Sequence, residues 1–156
     1  MGSRFVIGVA AIAALFLSGC GSPSSTPQAA ASPSSAASPT VEVATISVAG
    51  AQEMVLTTPS GVTLYYLTSD VGSAPRCTGA CLTNWPPLMS TGTPTLMAGI
   101  SGTLTVVTNA NGSQVAYNGH LLYLFAGDKA KGDTNGEGIK AFGGVWHVAA
   151  PALAAG

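Results

Sequence analysis

Two tyrosine–aspartate spacings recur in this chain: Tyr65-Tyr-Leu67-Thr-Ser-Asp70 and Tyr123-Leu-Phe125-Ala-Gly-Asp128, with a constant offset of 58. Two carboxylates brought face to face would supply an acid together with a base or nucleophile, as glycosidic hydrolysis requires. A plainer reading competes with it. A carboxylate at a strand end accepts backbone N–H groups and shapes a turn. A residue repeated in both copies of a duplicated unit is what a structural role predicts, because each copy must make the same turn. Asp70 and Asp128 are therefore read as turn formers, and Tyr65 and Tyr123 as half-buried strand residues.

The other reactive side chains are sparse. Asp133-Thr-Asn135-Gly-Glu137-Gly138 imitates the start of a calcium loop, with oxygen donors at every second residue. A full EF-hand loop would put a bidentate Glu at position 144, where this chain has Gly144, and Lys129, Lys131 and Lys140 oppose a cation. Asp133, Asn135 and Glu137 are thus weak metal candidates within a Gly-rich surface loop, and no metal or other cofactor is expected. Cys77 and Cys81 have three residues between them rather than the two of thioredoxin-like redox pairs. In an exported chain they are expected to form a disulfide. His120 follows the turn residue Gly119 and is expected to be solvated; His147 adjoins Trp146 in a closing strand. No Ser lies in a Gly-x-Ser-x-Gly elbow. The expectation is a protein without enzymatic activity.

The elements that carry these residues read as strands. Asn118-Gly119 between Ser113–Tyr117 and Leu121–Phe125 is a hairpin signal, since a type I′ turn needs positive φ at both positions. Pro59-Ser60-Gly61 plays the same part between Met54–Thr58 and Thr63–Thr68. Further strands are expected at Val41–Val48, Leu104–Thr108 and Val145–Ala149, with a single helical turn near Leu82–Trp85 ended by Pro86-Pro87. A 3.6-residue apolar period appears over no useful length. The fold class is all-β and mostly antiparallel: two homologous hairpin-containing repeats, about 54–87 and 113–151, packed with pseudo-twofold symmetry. Leu64, Leu67, Leu122, Phe125, Val106, Val115, Trp85 and Trp146 are the expected core.

The N-terminus sets the location. Arg4 precedes an apolar run, Phe5–Leu17, too short to span a bilayer. Its ending, Leu17-Ser-Gly-Cys20, resembles the lipobox of bacterial lipoproteins. The resemblance implies a signal peptide over 1–19, lipidation of the Cys20 sulfur with a diacylglyceryl group (palmitate-type chains), and two acyl chains, enough for stable anchoring. Residues 20–40 then hold the lipidated Cys and a linker. From Gly21 to Thr40 there are seven Ser, five Ala, four Pro and two Thr, with no charge and no large apolar side chain. Such a segment cannot bury enough surface to offset its ordering entropy, and it could reach roughly 60 Å if fully polyproline-like. The β domain is expected over 41–151 and a flexible tail over 152–156. Beyond the leader, four basic residues stand against six acidic ones, a net charge of −2. No basic patch exists for nucleic acid, so the membrane is met through the lipid alone.

The motif pair resembles the secreted-repeat lipoproteins of unknown function, whose Tyr-x-(Phe/Trp/Tyr)-x-x-Asp pattern is met in full by Tyr123, Phe125 and Asp128. Tyr65 and Asp70 match its ends, and Leu67 departs from its aromatic. Cys77–Cys81 before Trp85-Pro86-Pro87, and Gly143-Gly144-Val145-Trp146, are similar to that family's two copies. The resemblance implies an extracytoplasmic envelope lipoprotein and carries no activity. The functional expectation is a non-catalytic binding or interaction module on a membrane tether, with a protein or wall component as partner. The alternatives are a metal- or redox-associated accessory of the cell envelope and a wall-polymer hydrolase.

Overall fold

The computed structural model describes residues 40–156. The expected signal peptide, the lipidated Cys20 and the linker up to Pro39 lie outside them. Thr40, assigned to the linker above, belongs to the first strand and pairs with Thr95.

Two hairpins open the two copies. Strand β1 (Thr40–Val48) turns through Ala49-Gly50 into β2 (Ala51–Thr57). Ala49 has φ 49° and Gly50 φ 90°, the positive pair that a two-residue turn between twisted strands demands. The chain then passes through β3 (Tyr65–Leu67), a 3-10 turn (Gly79–Thr83) and β4 (Thr95–Leu96). The second copy opens in the same way, with β5 (Leu104–Asn109) and β6 (Gly112–Tyr117), and goes on through β7 (His120–Leu121), β8 (Lys140–Ala141) and β9 (Gly144–Val148). Asn118 and Gly119 turn between β6 and β7 at φ 49° and 88°, as their types predict. Each copy thus opens one strand earlier than the expected repeats, about 54–87 and 113–151, with β1–β2 matching β5–β6.

Backbone hydrogen bonds come in matched sets. Leu64 N–H donates to Leu56 O and Leu122 N–H to Val115 O, both at 2.9 Å. Leu56 N–H donates to Ala149 O and Val115 N–H to Leu88 O, both at 2.7 Å. Ala149 N–H returns to Leu64 O at 2.8 Å and Leu88 N–H to Leu122 O at 2.9 Å. The segment leaving each tryptophan therefore pairs with the strands of the other copy. The two repeats exchange exit strands, and neither completes its sheet alone.

Two apolar clusters fill the body. One gathers Ile46, Val55, Tyr65, Leu67, Trp85, Leu121, Tyr123 and Trp146; the other gathers Val41, Leu56, Leu64, Leu88, Val115, Tyr117 and Leu122. Burial is contiguous in each, and it is the dominant favourable contribution to such a fold. Four expectations change. Val106 is 39 % exposed, because it stands on β5, the edge strand of its sheet. Phe125 is half-buried. The helical turn comes slightly early, ending at Thr83. Residues 152–156 are tied down: Asn118 Nδ2 donates to Leu153 O, His120 Nε2 meets Ala154 O at 3.1 Å, and Gly156 N–H donates to Asn118 O.

Cys77 and Cys81 form a disulfide with Cα atoms 5.3 Å apart, bracing the 3-10 turn that carries the chain to Trp85. Both sulfurs belong to the first cluster. Reduction is expected to release two thiols and to remove about 2 kcal/mol of loop-closure stabilisation, which lowers the melting temperature by roughly 8 °C. Thiol titration and a thermal melt with and without reductant check this.

Candidate functional site

The motif residues meet at the pseudo-twofold axis. Tyr65 and Tyr123 face each other as an antiparallel bridge, each N–H donating to the other's carbonyl at 2.9 Å. Beside them Trp85 and Trp146 stack with centroids 3.7 Å apart and planes 3° apart. Tyr65 sets its edge on Trp85 at 5.5 Å and Tyr123 its edge on Trp146 at 5.1 Å. All four rings are essentially inaccessible. Edge-on contacts of this type add to the area they bury. Gly136 lies against this cluster, and a Cβ there would come within 2.8 Å of Trp85.

The tyrosine and aspartate of one motif do not meet each other. Tyr65 O–H donates to Asp128 Oδ2 at 2.7 Å, and Tyr123 O–H donates to Asp70 Oδ2 at 2.9 Å. Each motif clasps the other. The second oxygen of each carboxylate takes a loop amide: Asp70 Oδ1 accepts Arg76 N–H, and Asp128 Oδ1 accepts Asn135 N–H and Nδ2. The aspartates do shape turns, since Asp70 N–H donates to Leu67 O and Asp128 N–H to Phe125 O, both at 3.1 Å. The loops they close span six or seven residues, wider than an Asx-turn, and the phenol contact is one the sequence did not reveal. The tyrosines are fully buried rather than half-buried.

Burial raises both phenols well above the usual tyrosine range, and the aspartate each one faces raises it further. Burial also raises Asp70, more than its bonds from Arg76 N–H and Tyr123 lower it. These are neutral phenols held against carboxylates in a dry setting.

The calcium-like donors do not converge. Asp133 Oδ2 accepts Lys129 N–H and Ala130 N–H, which together hold its carboxyl below the usual range. Asn135 serves Asp128. Glu137 turns to the other side, where Oε1 meets His147 Nδ1 at 2.6 Å and Oε2 accepts Val148 N–H at 2.7 Å.

That last contact belongs to a place where the copies differ. Tyr66 pairs with His147 across β3 and β9. Its ring lies 4.9 Å from His120 and 6.0 Å from His147. His120, expected to be solvated, is half-buried against that ring. The matched position in the other copy holds Leu124 beside Pro86, joined by Leu124 N–H to Pro86 O. A cleft of about 330 Å³ opens at the imidazole, lined by Val48, Glu53, Tyr66, Glu137, His147 and Ala150 among others. Glu137 fixes the His147 ring, the way carboxylates orient functional imidazoles. Sequence reasoning missed this row because its members lie far apart in the chain and in no repeated pattern; the lack of a like residue at the matched position of the other copy, as with Tyr66 and Leu124, is the one signal that singles them out.

The family described as a secreted repeat of unknown function matches residues 48–89 and 105–150. The first stretch begins at the end of β1 and the second just inside β5, and each runs through to its exchanged exit strand. No curated protein and no solved structure is similar to the chain. On this match the chain belongs to the secreted-repeat family.

Two outcomes follow for the clasp. Replacing Tyr65→Phe or Asp128→Asn should each cost about 2 kcal/mol, the worth of a hydrogen bond to a charged group, and denaturant melts of both single variants and the double variant should show strong coupling. The pH dependence has a definite sign. The folded tyrosines hold their protons where unfolded ones ionise, so the folded state binds more protons above about pH 10. Stability should be complete below that pH and fall above it, by up to about 1.4 kcal/mol per pH unit for each tyrosine. Alkaline unfolding followed by fluorescence should be less steep in Tyr65→Phe.

Proposed function

We propose that this secreted-repeat protein is a non-catalytic binding module held at the outer face of a bacterial membrane through lipid on Cys20. The family places the chain outside the cytoplasm. The lipobox-like Leu17-Ser-Gly-Cys20 and the charge-free Ser/Pro/Ala segment that follows supply the anchor and the reach. One observation carries the non-catalytic reading: the hydroxyl and carboxylate groups of the family's motif are spent on each other across the two halves. Each carboxylate accepts a buried phenol on one oxygen and a loop amide on the other, so both oxygens hold the fold together, whereas acid–base or nucleophilic work on a polymer needs an oxygen directed at the substrate.

The body suits display. Its net charge is small, its halves are interlocked, and its non-repeated features lie at the surface around Tyr66 and His147. Binding specificity is expected there and at other places where the copies diverge, since the shared residues are occupied with holding the copies together.

Metabolic labelling with radioactive palmitate tests the tether. The wild-type chain should carry label and partition with membranes, and Cys20→Ala should carry none and appear in the soluble fraction. Label retained by Cys20→Ala, or a wild-type product without label, would overturn the anchor. Incubation with wall polymer tests the second half of the reading. No soluble fragments should be released; release that vanished in a folded Asp70→Asn or Asp128→Asn protein would establish a hydrolase instead.

A further inference from the structure

The pseudo-symmetry leaves one seat filled in the first copy and open in the second. In the first copy, β4 lies along the outer edge of β1 in parallel register, Thr40 opposite Thr95 and Val41 opposite Leu96, and Met97 N–H donates to Val41 O at 2.8 Å. Leu96 packs on the second apolar cluster. The matched strand is β5. Val43 pairs with Leu56 and Val106 with Val115, and Leu56 and Val115 are themselves matched, so Leu104 stands where Val41 does.

No described strand pairs with the outer edge of β5. Asn118 N–H donates to Thr103 O, so Thr103, Thr105 and Val107 turn their backbone groups toward β6. Alternation then sends the N–H and C=O groups of Leu104 and Val106 outward. Exposure tells the same story from the side chains: Val41, paired with β4, is fully buried, while its match Leu104 is only half-buried and Val106 is exposed. A cleft of about 380 Å³ opens on this face, bounded by the 90–94 loop, Leu104, Val106 and Ser113. Leu104 and Val106, which line it, match Val41 and Val43 of the strand on which Leu96 sits in the filled seat.

Edges of this sort are ordinarily blunted by charge or proline. Strand β5, Leu-Thr-Val-Val-Thr-Asn, carries neither charge nor proline. The cleft rim is hydroxyl-rich and uncharged, with Ser90, Thr91, Thr93, Thr105 and Ser113.

The geometry points to the outer edge of β5 as a docking site for an extended peptide segment of a partner protein, added as a parallel strand with a branched aliphatic side chain in the cleft. Backbone bonds would supply affinity and the cleft selectivity, as in strand addition generally. The internal occupant of the matched seat defines the chemistry: a neutral Thr-Leu-type segment. The chain's own Gly21–Thr40 segment does not meet it, having no large apolar residue. A second copy pairing β5 with β5 about a twofold axis would run antiparallel, against the parallel register of the seat that is filled. The inference rests on the reading of the chain as a binding module, but its test is independent of the Cys20 labelling, so the two can fail separately.

The probe is a synthetic peptide, Thr-Pro-Thr-Leu-Met-Ala, the sequence that fills the first seat. Fluorescence anisotropy with the intact secreted chain should show saturable binding, weakened roughly tenfold or more by Leu→Ser in the peptide and by Val106→Lys in the protein. Hydrogen exchange read at Leu104 and Val106 should be fast in the free protein and slow with peptide. That readout on the wild type stands even if Val106→Lys fails to fold. Amides at Leu104 and Val106 already protected in the free monomer, protection that grows with protein concentration alongside a dimer on sedimentation, or peptide binding indifferent to both substitutions would each overturn the proposal.

Discussion

The fold depends on a reciprocal clasp. Tyr65 reaches the aspartate of the second motif and Tyr123 reaches the aspartate of the first, with the two tyrosine backbones bonded to each other between them. A buried hydroxyl without an acceptor costs as much as the bond it lacks, so each half carries an unmet donor and an unmet acceptor until the other arrives. The paired indoles add a flat apolar contact on the same axis. Polar need and apolar burial thus point to one arrangement of the halves, and the exchange of exit strands makes that arrangement cooperative.

This geometry accounts for the six-residue spacing that recurs in both copies of the chain. The tyrosine and the aspartate are five positions apart, so one leaves the strand into the core while the other stands past its end, where the loop returns. Arg76 and Asn135 bring that loop back by their backbone amides, which asks little of side-chain type. The aromatic in the middle of the motif is less strictly needed. Phe125 stacks on Trp85 at 4.3 Å, and Leu67 fills the matched place against Trp146 without an aromatic ring.

Much of the body was legible in the sequence. Asn118-Gly119 announced its turn through the positive φ it requires, and the constant offset between motifs announced the duplication. Leu64, Leu67, Leu122, Val115 and the tryptophans are buried as their patterns predict. What stayed hidden is what involves partners across the axis. Alternation says which face Tyr65 uses, but not that its hydroxyl meets an aspartate 63 residues away. Val106 has the pattern of a core residue and is exposed because no strand covers its edge; hydropathy cannot register a missing neighbour. Likewise, nothing local pairs Glu137 with His147, which meet only because β9 brings the latter beside the loop that carries the former.

The exchanged exit strands bear on how such a chain crosses a membrane. The sheet around Leu56 and Leu64 is incomplete until Ala149 joins it, so the first repeat has no folded form of its own to adopt early. A polypeptide delivered outward from its N-terminus would remain threadable through most of its length and collapse only once the second tryptophan and the residues behind it had emerged. Closure of the body is thereby tied to the arrival of its last strand.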